Sequence, residues 1–242
     1  MNCTSLEDMI QSACGRWANG PHPNPKRLIV LGMPDWVNAD LYDLEAKAEG
    51  NAPLDQMYGP MLQTLLEDRF KLKVHWEARE FPIYALTVAK GGIKMVQLQD
   101  GSCIVFDINH LPPATAFDQP TRKFCGSQTT RADAGSLTLD AFGMSMHDFS
   151  EGPLSTRLDR PVIDKTGLPG LFDFHVKFSP DDVRRGFPGA AETEAGVPAS
   201  SSESDIPSIF TALQQQLGLK LESTKGPVEV LVVDHVDKPS PN

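Results

Sequence analysis

One pattern occurs twice in this chain, first from Pro60 to Val88 and again from Pro207 to His235. Pro60 aligns with Pro207, Leu66 with Leu213, and Leu72-Lys73-Val74 with Leu219-Lys220-Leu221. Ile83-Tyr84-Ala85-Leu86 then aligns with Val230-Leu231-Val232-Val233. A repeat of this kind constrains architecture, because each copy is a supersecondary unit that buries its apolar face against neighbours. It carries no information about chemistry.

Each copy reads as a helix followed by strands. Pro60 suits a first helical position, where its missing N–H costs nothing, and Leu62, Leu65 and Leu66 make an apolar stripe. Strands follow at 71–77 and 81–89. The second is apolar on both faces, as is 228–233 in the other copy, and a two-faced strand belongs inside a covered sheet.

Two further units fill the remaining chain. Thr4-x-x-Glu7 has the form of a capping box, and Leu6, Met9, Ile10 and Ala13 follow at helical spacing, with Gly15 as a stop. Strands are expected at 27–31 and 42–48, the latter alternating apolar with charged residues. A strand at 136–139 precedes a second cap, Ser145-x-x-Asp148, whose helix is interrupted by Gly152-Pro153. Strand 160–164, a turn at Lys165-Thr166-Gly167, and the alternation Phe172, Phe174, Val176, Phe178 complete that unit.

The expected class is α+β. Repeated helix–strand–strand, βαββ-like units form antiparallel sheets with helices on one face. Two similar halves span 1–99 and 135–242, separated by an irregular excursion at 100–134. Residues 179–205, rich in Pro, Gly, Ala, Ser and Glu, read as a mobile linker.

At 242 residues the chain can bury one large core or two small ones. A net charge of −10 argues against an electrostatic grip on nucleic acid or anionic lipid. No apolar run is long enough to insert in a bilayer. No basic-then-apolar leader opens the chain, and a helix signal follows Met1 almost at once, as in a processed or trimmed form.

None of the four cysteines forms a C-x-x-C pair, so a zinc or thioredoxin-like site is not indicated. Cys103 and Cys125 flank one irregular segment. A bridge between them would close a loop of roughly twenty residues and contribute about 3 kcal/mol in the chain-entropy model. Cys3 and Cys14 bracket the first helix and can pair only if the geometry allows. The alternative is that all four are reduced and buried.

The stretches LQTLLEDRFKLKVHWEAREFPIYALTVAKGG (62–92), RPVIDKTGLPGLFDF (160–174), IFTALQQQLGLKLESTKGPVEVLVVDHVDKPSPN (209–242) and GMPDWVNADLYDLEAKA (32–48) carry a resemblance. They resemble a large, functionally uncharacterised family of exported proteins abundant in Acidobacteria. The resemblance implies an extracytoplasmic protein, periplasmic or secreted, of a kind sometimes attached to a membrane sensor-peptidase domain. It also implies a leader and first strand that this chain lacks. The helix–strand–strand units are more loosely similar to the short N-terminal domains of secretins and TonB-dependent receptors, which are interaction modules. The family supplies no catalytic residues to carry over.

No G-x-S-x-G elbow, H-E-x-x-H, Walker loop or dinucleotide fingerprint occurs. The histidines are His22, His75, His110, His147, His175 and His235. His147 stands near Ser145, Asp148 and Ser150, residue types that can supply a base, a carboxylate and a nucleophile. Ser145 and Asp148 equally suit a helix cap. Asp173 and His175 share one strand face with Lys177, an acid/base or metal constellation if Asp164 or a serine from the excursion approaches, and otherwise a wet face. His75, Trp76, Glu77 and Arg79, beside Glu80, could rim a ligand site or end a packed hairpin. Asp234-His235 closes the last strand. Asp181-Asp182 and Asp107-Ile108-Asn109-His110 offer oxygen ligands of the kind calcium takes, without EF-hand spacing. No other cofactor is implied.

The leading expectation is an extracytoplasmic binding or interaction module. It would take a small molecule, glycan or peptide in a groove between the halves. The second is a hydrolase of small esters or lactones, calcium- or metal-assisted, using His147, Asp173, His175 and Ser150. A third is a structural protein pairing through a strand edge.

Overall fold

The structure, a computed structural model, describes residues 1–16, 28–48, 50–105, 109, 123–133, 135–180 and 206–239. Along the chain run β1 (Thr4–Ser5), α1 (Leu6–Ile10), β2 (Val30–Leu31), α2 (Trp36–Ala39), β3 (Leu41–Tyr42), α3 (Leu54–Gln56), α4 (Leu62–Phe70) and β4 (Lys73–Val88). Then come β5 (Ser127–Asp133), β6 (Ser136–Met144), α5 (Met146–Phe149), α6 (Ser155–Arg157), β7 (Val162–Asp164), β8 (Phe172–Phe178), α7 (Ile209–Ala212) and β9 (Leu219–His235). The class is α+β. Wider, π-type turns prolong α1, α3, α5 and α7, so each of these helices is longer than its α-helical part.

The contacts divide the chain into two units that are not consecutive stretches. One takes in Met1–Phe81 and Gly226–Asn242, the other Pro82–Phe106 and Pro113–Lys225. The long strands β4 and β9 each contribute to both. They are sheet neighbours, and His75 meets Asp234 while Thr87 meets the Lys220 carbonyl, so they run antiparallel. Each helix–strand–strand copy of the repeat is thus a helix and one unbroken strand.

The two repeat helices end alike. The Lys71 N–H donates to the Leu66 carbonyl and the Gly218 N–H to the Leu213 carbonyl, from left-handed residues with φ of 51° and 70°. Upstream of α4, Gly59 leaves helical geometry (φ −98°, ψ −105°), so Pro60 starts a fresh turn where its lost donor is not missed.

In the first unit, Leu6, Met9, Ile10, Ala13, Leu62, Leu66, Phe70, Leu231 and Val233 form the core. The cap of α1 is Ser5, whose Oγ accepts from the Asp8 N–H at 3.1 Å; Thr4 lies in β1 instead. Gly15 does not stop the helix but sits within its π-type continuation, Gln11–Arg16. β2 pairs parallel to β9 through Val30 and Leu231. The strand expected at 42–48 shrinks to Leu41–Tyr42, paired with β1. Beyond it only Leu44 continues the ladder, exchanging backbone bonds with Met1.

In the second unit, β7 pairs parallel to β4, so parallel edge pairings accompany the antiparallel ladders. A separate antiparallel sheet has the order β5-β6-β8. Strand β5 falls inside the expected excursion and corrects it. It is an edge strand, exposed along almost its whole length, so no apolar alternation marks it. Residues of β8 alternate buried and exposed as expected. Phe172, Phe174, Val176 and Phe178 join Leu137, Leu139, Phe149, Ile209 and Leu213 in the core. The α5–α6 helix survives Gly152-Pro153 through a π-type turn, Ser150–Leu154.

The Cys103–Cys125 disulfide is formed. Cys3 and Cys14 are free, one exposed and the other buried, so that pair does not bridge. No helix of the described residues is long and apolar enough to cross a membrane.

Candidate functional site

The outer face of the β5-β6-β8 sheet gathers polar side chains by strand register alone. Side chains alternate across a strand, so with Leu137, Leu139 and Ala141 turned to the core, Thr138, Asp140 and Phe142 take the other face. Asp140 stands opposite Thr129 on β5 and His175 on β8. The result is a row of hydroxyl, carboxylate and imidazole across the sheet.

The Asp140 carboxylate is held from both sides. Its Oδ1 lies 2.6 Å from His175 Nδ1, and its Oδ2 accepts from Arg131 Nη2 at 2.6 Å. A carboxylate only accepts, so Nδ1 of His175 carries the proton. Nε2 is left as the ring nitrogen able to take one. His175 and Arg131 are about two-thirds exposed, at 69% and 68%, whereas Asp140 is only 31% exposed. The pairing orients the imidazole rather than burying it.

One end of this face is built by a bulge. The β6–β8 register shifts between Ala141 and Met144. There Gly143 adopts φ +57°, and a Cβ on it would lie 2.7 Å from Cys103 Sγ. Only glycine suits both the conformation and the contact. The Gly143 N–H donates to Asp173 Oδ1 at 3.0 Å, which fixes that carboxylate at the edge of the face.

The disulfide secures a neighbouring wall. The Ile104 N–H donates to the Lys123 carbonyl, the Cys125 N–H to the Ile104 carbonyl, and the Gly126 N–H to the carbonyls of Phe142 and Gly143. This clip sets Lys123 Nζ 4.3 Å from the centre of the Phe142 ring. Together these groups line an open groove of about 620 Å³, with Ser127, Thr129, Asp140, Phe142, Asp173 and His175 among its walls.

The four candidates for hydrolysis do not share a site. His147 and Ser150 belong to the helix that packs on the inner face of this sheet, where Phe149 stacks on Phe174 with ring centres 3.8 Å apart. Asp173 and His175 lie on the outer face. Ser150 is wholly buried and donates its hydroxyl to the His147 backbone carbonyl at 2.8 Å, not to the imidazole. The ring of His147 faces Glu151 at 3.6 Å. Ser145 caps the helix by accepting from the Asp148 N–H. Asp164 accepts from the Thr166 N–H and hydroxyl and so serves the turn.

The ligand rim proposed on β4 satisfies itself. His75 Nδ1 lies 2.8 Å from Asp234 Oδ2. Arg79 donates to Glu77 at 2.8 Å, a bond that lowers the Glu77 carboxyl and raises the Arg79 guanidinium from their ordinary values. Trp76 alternates to the opposite face of the strand and is about half exposed. His235 pairs with Asp237 at 3.2 Å. His22, His110, Asp107, Asp181 and Asp182 lie outside the described residues. Among the described residues no group of three or more His, Cys, Asp or Glu side chains is placed to hold a metal ion.

Asp140, Arg131, Lys123 and Phe142 escaped sequence reasoning. Asp140 does alternate with Leu139 and Ala141. Phe142, however, puts an aromatic on the wet face and hides the continuation of the strand past 139.

The family described as "Protein of unknown function (DUF3738)" matches residues 22–236, and the chain belongs to that family. No curated protein and no solved structure matches it.

Proposed function

We propose that this DUF3738 protein is a binding module acting outside the cytoplasm, which takes a small molecule, glycan or peptide on the outer face of the β5-β6-β8 sheet. The observation that carries the reading is the groove itself. It combines an aromatic surface at Phe142 with polar anchors whose positions are already fixed: Asp140 by Arg131 and His175, and Asp173 by the Gly143 N–H. A concave surface with a few prepositioned polar groups is what ligand recognition requires, since preorganisation removes part of the ordering cost. The disulfide supports a location outside the reducing cytoplasm, as does the likeness to exported proteins drawn from the sequence.

The test is a saturation-transfer NMR screen of neutral oligosaccharides and short peptides against the wild type, Phe142→Ala and Asp140→Asn. The expected outcome is a ligand whose signal is lost in both variants while their thermal unfolding is unchanged. Signals that persist in both variants would place binding elsewhere.

One observation favours the second reading, hydrolysis of small esters or lactones. The Asp140–His175 pair leaves Nε2 as a proton acceptor, in the relation of orienting carboxylate to general base, with the Thr129 hydroxyl on the opposite side of Asp140. Chromogenic esters and lactones, with and without EDTA and calcium, test it. Turnover abolished by His175→Ala but not by His147→Ala would replace the binding reading. No turnover under any condition would remove the hydrolase.

A further inference from the structure

The first unit contains an apolar hollow that the groove reading does not use. Past Leu44 the chain stays near α3 and α4 without strand partners among the described residues, and its alternate side chains Leu44, Ala46 and Ala48 line a cavity of about 250 Å³. The opposite wall is formed by Met57, before the break at Gly59, and by Met61 and Leu65 at helical spacing after it. Met61 is 41% exposed, high for so large an apolar side chain. The space exists because alanines stand at 46 and 48, where longer side chains would fill it. Unbranched methionine walls adapt to differently shaped apolar ligands.

The charge at this hollow is one-sided. Among the described residues the charged groups of its lining are cationic: Lys47, which makes no ion pair among them, and the Met1 α-ammonium, which donates to the Leu44 carbonyl at 3.0 Å. Asp43 and Glu45, the described acids of the same stretch, do not line it. Asp43 accepts from the Cys3 N–H at 2.8 Å, and Glu45 lines the adjoining hollow together with Arg69. An apolar cavity whose charged lining is cationic is complementary to an amphiphile bearing one negative charge. A cavity of about 250 Å³, where one water needs about 10–15 Å³, has room for a short alkyl chain.

We infer that this hollow is a binding site for a free medium-chain carboxylate, its chain between Leu44–Ala48 and the methionine wall and its head group at Lys47. The site lies wholly within the first unit and is independent of the groove on the β5-β6-β8 sheet.

Calorimetric titration of the full chain with hexanoate, octanoate, dodecanoate and octan-1-ol tests the inference. Octanoate binds saturably, one per chain, and affinity rises about fourfold per methylene from hexanoate to octanoate. It levels off by dodecanoate, because the cavity is full. Lys47→Gln weakens octanoate several-fold and leaves octan-1-ol unchanged. Ala46→Phe, or the milder Ala46→Leu, fills the cavity and abolishes binding of both while the thermal transition is kept or raised. His175→Ala, in the other unit, alters nothing. Absence of octanoate binding, or binding indifferent to both Ala46 variants, overturns the site. Equal octanoate and octan-1-ol affinities, insensitive to Lys47→Gln, overturn the head-group assignment. Capture by phosphatidylglycerol vesicles that depends on Ala46, without octanoate binding, would show a lipid surface to be the occupant instead.

Discussion

At Gly143 two demands meet in one residue. The bulge needs φ +57°, and Cys103 Sγ occupies the space a Cβ would take. Gly143→Ala should therefore cost about 2–4 kcal/mol, the sum of left-handed strain and overpacking against a covalently held sulfur. Urea denaturation measures this directly, and a loss under 1 kcal/mol would mean the bulge relaxes freely. Cys14 offers a second residue-level test. Burial, with a smaller contribution from Glu67, pushes its thiol from 9.0 up to about 11. The folded chain thus holds a proton that the unfolded chain has already lost between those values. The associated stability is complete below pH 9 and is lost as pH rises toward 11, at a cost of about 2–3 kcal/mol. Cys14→Ala should flatten that decline in a series of unfolding curves, and an unchanged slope would assign it to other groups such as Tyr42, whose hydroxyl is also raised.

At the scale of elements, the repeat helices invite a paired experiment. Lys71 is left-handed without being glycine, whereas its counterpart Gly218 has the Gly92 carbonyl 2.1 Å from where a Cβ would sit. Lys71→Gly should raise stability by about 1 kcal/mol through relief of strain, and Gly218→Ala should lower it by more than that. The same sign from both would refute the shared termination. This is also the scale at which the sequence was most legible. The Phe172–Phe178 alternation, the Ser145 cap and the Leu66 and Leu213 core positions could all be read from spacing, because one buried face imposes its period on the residues. What escaped lacked that signal. Strand β5 is exposed along almost its whole length, β4 and β9 each run unbroken through a polar centre, and α1 is capped by Ser5 although Thr4 offers an equally good hydroxyl. Of the candidate site, Asp173 and His175 were legible as one strand face. The partner of His175, Asp140, and the Arg131 that holds it come from strands paired across the sheet, and register between strands cannot be read from spacing within one.

The whole molecule divides into two units, each with its own core. Residues that share a site come from separated stretches of chain. The disulfide is a global constraint as well as a local clip. It closes a loop with a separation of 22 residues, for which the chain-entropy model gives about 3 kcal/mol. Reduction should lower the thermal midpoint and, if the clip holds the groove wall, broaden the amide signals of Lys123 and Phe124 first. An unchanged midpoint would show that the loop is held by packing alone. The most direct test of the central proposal, a ligand groove on the outer face of the β5-β6-β8 sheet, is amide chemical-shift mapping during titration with the screened saccharides and peptides. The account predicts saturable shifts concentrated at Thr129, Asp140, Phe142, Asp173 and His175, absent in Asp140→Asn. Shifts confined to other surfaces, or none with any ligand, would contradict it.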